Sequence, residues 1–272
     1  MNLLELLNIP QNQLSGFTKI ELNLDESEDL NDLKLKVLSI ALSHCHNLLE
    51  LNLSYCGIGL MEGVNYQILF NAIRSCSKLQ KLDMAFNNIS ELSDNGFAAL
   101  LNLLNTLPHL QQLDLTANNL EDLGEHNFAL LFETLEHCLE LRQFNFSENN
   151  ISGLNNNNFH TLCRCLSNFA NLTQLDLSST NLGNLTKAKF IELFVALNNC
   201  EKLEQLNIVY NDLDAIDDNK FNILCDALMS FQNLQEFDVD SKDDLERKVL
   251  QQIATNLTKQ RIVTTPTLKC KI

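Results

Sequence analysis

The sequence predicts an α/β solenoid, a stack of strand–helix units with a parallel sheet on one side and helices on the other. Three observations predict it. Strand-like segments begin at Phe17, Leu48, Leu79, Leu110, Leu141, Leu172, Leu203 and Leu234, each 31 residues after the last and without insertion or deletion. A fixed period in this range is the mark of a solenoid. The central copies read LQKLDMAFNNI, LQQLDLTANNL, LRQFNFSENNI and LTQLDLSSTNL, the pattern L-x-x-L-x-L-x-x-N-x-L. Each is followed by a helical apolar pattern, such as Phe97, Leu100, Leu101 and Leu104 at i, i+3, i+4 and i+7.

The elements follow in order. Residues 1–16 cap the first repeat, with Leu3, Leu4, Leu6 and Leu7 as the capping side chains. The eight repeats occupy residues 17–240. In the copy from Leu79 to His109, Leu82 and Met84 alternate with Asp83 and Ala85, the period of a strand buried on one face. Asn87 follows, Ile89 and Leu92 point inward, and Asp94 caps a helix over about residues 95–105. The Phe97 column continues as Phe128, Phe159, Phe190 and Phe221, with Tyr66 before it. So regular a column of rings reads as core rather than as a ligand box. After the last strand, Ser241 and Asp244 read as a capping box opening a terminal helix over 241–259, and 260–272 form a tail.

These motifs resemble the leucine-rich repeat. Their uniform length and full helices are similar to the ribonuclease-inhibitor-like subclass, also seen in sensor domains of cytosolic immune receptors, over about residues 17–240. The resemblance implies a right-handed horseshoe with a concave parallel sheet and convex helices. It implies that the Asn87 amide bonds backbone groups of neighbouring turns, as do Asn118, Asn149 and Asn211, with Cys56 and Thr180 as replacements. It also implies protein binding rather than catalysis. The Asn, Lys, Ile and Phe usage, with few arginines, points to an AT-rich genome. With the repeats, it makes the chain similar to leucine-rich repeat effectors that intracellular bacterial pathogens inject into host cells. The alternatives are an endogenous cytosolic regulatory or inhibitor protein of the same class, or the recognition part of an enzyme complex.

Charge narrows the partner. With 35 acidic and 19 basic residues the net charge is −16. Affinity for nucleic acid comes from Lys and Arg displacing phosphate counterions, so nucleic acid is not an expected ligand. The N-terminal segment lacks the basic start of a secretory signal, and no stretch is long and apolar enough for a membrane span. The expected molecule is a cytoplasmic monomer, or one delivered to a host cytosol. Cys45, Cys76, Cys138 and Cys200 share a repeat position with Leu107, Phe169 and Phe231, so they read as reduced core thiols. No metal-ligand spacing, phosphate-binding loop or catalytic constellation is present. His44, His46, His109, His126, His137 and His160 fall at helix ends or outer faces, and no cofactor is expected.

What remains is the outward face of the strands. One column reads Glu21, Asn52, Asp83, Asp114, Asn145, Asp176, Asn207, Asp238. The flanking columns include Lys19, Glu50 and Lys81, and Ser54, Ala85, Thr116, Ser147, Ser178 and Val209. The exit loops add Glu91, Glu121, Asp122, Asp212 and Asp214. Three aromatics interrupt this polar surface: Tyr55, Phe86 and Tyr210, at positions held elsewhere by Ala117, Glu148 and Ser179. Aromatics beside carboxylates are interface anchors. The predicted partner is a basic protein touching Glu50, Tyr55, Asp83, Phe86, Asp114, Asp176 and Tyr210. The plainer alternatives are a solvated polar face, and rings folded against their own loops.

Overall fold

Each strand needs only one buried residue between two outward ones, and three residues suffice. The strands are β1 (Lys19–Glu21), β2 (Glu50–Asn52), β3 (Lys81–Asp83), β4 (Gln112–Asp114), β5 (Gln143–Asn145), β6 (Gln174–Asp176), β7 (Gln205–Asn207) and β8 (Glu236–Asp238). The computed structural model describes residues 9–22, 30, 32–213, 216–239 and 249. The chain divides into two compact units, Met1–Phe144 and Asn145–Ile272, the division falling within β5.

In the first unit β1 to β4 pair in chain order, all parallel, with residues 31 apart facing each other: Leu51 faces Leu82, and Asp83 faces Asp114. In the second unit β6, β7 and β8 pair in the same way, Leu175 facing Leu206 and Leu206 facing Phe237. Constant spacing in sequence thus becomes constant register in space. A helix lies between consecutive strands, as parallel pairing requires. The first unit holds the single turn α1 (Gln11–Leu14), then α2 (Asp32–Leu42), α3 (Asn65–Arg74), α4 (Asp94–Leu104) and α5 (Glu125–Leu135). The second holds α6 (Asn156–Asn168), α7 (Lys187–Asn198) and α8 (Asp218–Ser230). Both units are α/β solenoid, as the repeat predicts.

The core sits between sheet and helices. Phe97 and Phe128 in the first unit, and Phe159 and Phe190 in the second, are 0–1% exposed, and Tyr66 is 6% exposed. Phe221 is half-buried. Lys189 reaches back from the first turn of α7, its ammonium 5.1 Å from the centre of the Phe159 ring. Lys220 repeats the device in α8, donating to the Gly183 carbonyl at 2.9 Å.

Two expectations need correction. Ser93, not Asp94, caps α4: its hydroxyl accepts the Gly96 amide at 3.3 Å, and Asp94 is the first helical residue. Asn155, Thr186 and Asp217 hold the same position and cap α6, α7 and α8. The helices also bury a second stripe, Ala72, Leu103, Thr134, Cys165, Ala196 and Ala227, none more than 8% exposed. Successive helices within each unit pack together. Leu101, expected inward, is only half-buried.

The eight described cysteines are all free and buried. Burial pushes the Cys45 and Cys138 thiols up to about 11, and Cys76 and Cys200 to about 12, so none is a nucleophile near neutrality. The capping leucines Leu3, Leu4, Leu6 and Leu7, and the terminal helix with its tail, lie outside the described residues. The exception is Val249, helical and 1% exposed.

Candidate protein-binding face

The outward polar column is built into the backbone. In β3 one Asp83 oxygen accepts the Ala85 amide at 3.0 Å, closing an Asx turn at the strand end. Asn52 accepts from Ser54, Asp114 from Thr116, Asn145 from Ser147, Asp176 from Ser178 and Asn207 from Val209, always two residues on. The hydroxyls of Ser54, Thr116 and Ser178 donate to the same oxygens, at 2.7, 2.5 and 2.6 Å. Half of the flanking column read as outward is inside: Ala85, Thr116 and Ser147 are each 6% exposed, while Ser54, Ser178 and Val209 are half-buried.

The second carboxylate oxygen is engaged as well, where an amide is adjacent. Asn52 donates to Asp83 at 2.8 Å, and Asn207 to Asp176 at 2.8 Å. Asp83 and Asp114, however, stand opposite each other as two acids in register. Burial holds the Asp83 carboxyl above its ordinary range; the Ala85 amide pulls it down and the Asp114 charge pushes it up again. Glu50 sits between two lysines, 3.4 Å from Lys19 and 3.4 Å from Lys81. Glu91, Asp122 and Asp212 on the exit loops are exposed, Glu121 is half-buried, and Asp214 is not described.

The aromatic positions share one backbone state. Tyr55, Phe86, Ala117, Glu148, Ser179 and Tyr210 all have positive φ, between 51° and 58°. The left-handed region favours Gly and Asn and disfavours bulky side chains, so aromatics in it are candidates for function. Tyr55 and Phe86 stack with ring centres 4.4 Å apart and planes 7° from parallel. Tyr55 is 39% exposed, Phe86 half-buried beneath it, and Tyr210, in the second unit with Asp176, is 69% exposed. The structure thus brings Glu50, Tyr55, Asp83, Phe86 and Asp114 onto successive strands and exit turns of one unit.

The turns that carry these rings are held by the asparagine ladder. Asn87 is fully buried; its oxygen accepts the Cys56 and Ile58 amides of the preceding turn at 3.0 and 3.2 Å. Its nitrogen donates to the Leu53 and Ala85 carbonyls at 2.8 and 3.1 Å. Asn118 serves Asn87 and Ile89 likewise, and Asn211 serves Thr180 and Leu182. Thr180 has no amide to offer the turn before it; its hydroxyl donates to Leu177 instead. In that preceding turn Asn150 has φ −75°, where Gly57, Asn88, Asn119, Asn181 and Asp212 are left-handed.

Two residues on this edge escaped the sequence reading. Leu60 and Val64 are 58% and 60% exposed, at positions held by Glu91 and Asn95 in the next repeat. Aligning the repeats by period exposes them, because apolar side chains there break a polar column. The histidine–carboxylate contacts, His109 with Glu140 at 3.4 Å and His160 with Glu192 at 2.7 Å, are isolated surface pairs. Among the described residues no group of three or more His, Cys, Asp or Glu could hold a metal ion. Among them, too, no helix is long and apolar enough to cross a membrane.

Comparison with known proteins agrees with this geometry. Residues 44–60, 75–92 and 106–124 match the Leucine Rich repeat family. No curated protein matches the chain. Among solved structures the chain is similar to the leucine-rich repeat-containing protein LegL7 from Legionella pneumophila. That likeness has TM-score 0.57 and 20% identity, over 99% of this chain and 89% of that one. The tropomodulin C-terminal domain of Caenorhabditis elegans gives 0.46 and 17%, over 62% and 93%. TLR13 in its complex with ssRNA13 gives 0.45 and 21%, over 76% and 27%. At these identities the likeness is one of fold.

Proposed function

We propose that this chain is a non-enzymatic, monomeric interaction module that binds a basic protein through its strand face and exit turns. The observation that carries the reading is the stacked Tyr55–Phe86 pair, held at positive φ next to the strands of Asp83 and Asp114. Exposed aromatic area on a rigid turn costs little ordering entropy on binding, and such residues are typical anchors. The acidic column and exit loops supply a negative potential that attracts a basic surface. Glu50, flanked by Lys19 and Lys81 on the adjacent strands, belongs to a local ion network. For the place of action, we keep the reading of a bacterial effector delivered into a host cell, which the compositional resemblance supports.

The test is affinity capture from a eukaryotic cell lysate with the wild-type chain and two variants. Tyr55→Ser with Phe86→Ser removes the stack; Glu133→Gln alters an exposed residue on the helix side. A basic protein retained by wild type and Glu133→Gln but lost from the double variant supports the reading. Retention by the double variant refutes it, and loss from Glu133→Gln would place the contact on the helix side.

A further inference from the structure

The residue after Tyr55, Cys56, begins the lining of an open groove of about 250 Å³, formed with Leu30, Gly57, Leu60, Met61, Glu62 and Asn65. Three features make this groove unlike the same place in later repeats. One wall residue is apolar where its counterparts are acidic: Leu60 stands where Glu91 and Asp122 stand, and outside the lining Val64 stands where Asn95 and His126 stand. Leu33, at the position equivalent to Val64 in the adjoining helix, is 69% exposed, so the apolar strip continues onto α2. The floor is also different. Cys56 stands where the next repeats have the ladder asparagines Asn87 and Asn118. The lining carries one charge, Glu62, and no base.

We infer that this groove is the docking site for a short segment of a protein partner that carries an aliphatic side chain next to a lysine or arginine. The aliphatic group covers Leu60, Met61 and Leu30, and the base faces Glu62 and the exposed Glu91 of the next turn. Charge complementarity selects this occupant: the lining sets Leu30, Leu60 and Met61 beside one carboxylate, Glu62, and one amide, Asn65, with no base, on a chain of net charge −16. Continuity with Tyr55 gives the segment its path, from the groove across the aromatic stack toward the strand face. The inference rests on the proposed function and adds the chemistry of the recognised segment.

The experiment selects short random peptides, displayed on phage, against the immobilised full-length chain, then measures their binding by fluorescence polarisation. The expected peptides share a Leu, Ile or Met beside a Lys or Arg. Leu60→Asp weakens them about tenfold or more, and Tyr210→Ser leaves them unchanged. Leu60 is 58% exposed, so the substitution is compatible with the fold; Leu60→Ser and a thermal melt of each variant check this. Failure to enrich peptides, enrichment of acidic ones, or indifference to both Leu60 variants overturns the inference. So does a dimer of the wild-type chain in sedimentation that Leu60→Asp dissolves, since the occupant is then a second copy. If the captured partner is lost with the Tyr55 and Phe86 variant but kept by Leu60→Asp, the groove assignment falls and the proposed function stands. If the Tyr55 and Phe86 variant also keeps it, the proposed function falls.

Discussion

A single buried asparagine shows how much one side chain can carry in this fold. Removing the Asn87 amide orphans the Cys56 and Ile58 amides and takes a donor from the Leu53 and Ala85 carbonyls, the latter keeping the Tyr55 amide. Each unsatisfied buried group costs about 1–3 kcal/mol, so Asn87→Ala should cost roughly 3 kcal/mol or more in chemical denaturation. A loss below about 1 kcal/mol would show that water replaces the amide. The half-buried acids act differently, because their first oxygen belongs to the turn. Asn occupies the same position as Asn52, Asn145 and Asn207, so Asp114→Asn keeps the Thr116 bond while removing the charge facing Asp83. The Asp83 midpoint, followed by carboxyl carbon NMR, should then fall yet stay above the ordinary aspartate range, since burial is the larger cause. The sign for stability follows. A carboxyl whose pKa is raised by folding favours the fold when protonated, and stability declines as pH rises from the unfolded pKa through the folded one. That decline should be smaller in Asp114→Asn. An unchanged Asp83 midpoint would mean that the two carboxylates do not interact.

At the level of the element, the helix faces are set by two stripes. The ring column buries large side chains, and the Ala72–Leu103–Thr134 column is buried beside it on the same helices. Phe159 is fully buried under Lys189, so Phe159→Ala should leave a cavity and cost about 3–5 kcal/mol. Tyr66, 6% exposed, should cost less when cut to Ala. Calorimetry that reversed this order would refute the ring column as the main packing device. The ring column was legible in the sequence because one residue type recurs at one period. The second stripe was not, because Ala, Leu, Thr, Cys, Ala and Ala share burial but neither one residue type nor one size. The cap was misplaced by one residue because Ser93 and Asp94 are both good N-caps, and only the geometry separates them. The same reason hid the turns at the strand ends. Asp83 and Asp114 read as charges facing a partner, whereas an Asx turn is invisible until the backbone two residues on is placed. Tyr55, Phe86 and Tyr210 were legible as interruptions of a column. That two of them stack, and that all three sit at positive φ, was not.

For the whole molecule the decisive quantity is charge, because it acts before any contact forms. A net charge of −16 sets a field that a basic partner senses from a distance, and salt shortens that reach to about 8 Å at physiological ionic strength. Contacts such as the Tyr55–Phe86 stack act only after encounter and are insensitive to salt. The two contributions therefore separate kinetically once a partner is in hand. Its association rate should fall steeply as salt rises, while its dissociation rate changes little. Asp83→Asn with Asp114→Asn should lower the association rate a few-fold at low salt and lose that effect at high salt. Phe86→Ala should raise the dissociation rate at every salt concentration, by about tenfold if the ring is an anchor. Surface plasmon resonance over a salt series measures both rates on the same samples. A salt-independent association rate would mean that the field does not steer the encounter, and the basic partner would then have to be abandoned. An unchanged dissociation rate in Phe86→Ala would move the anchor elsewhere on the surface, with Tyr210 of the second unit, 69% exposed, the next ring to replace.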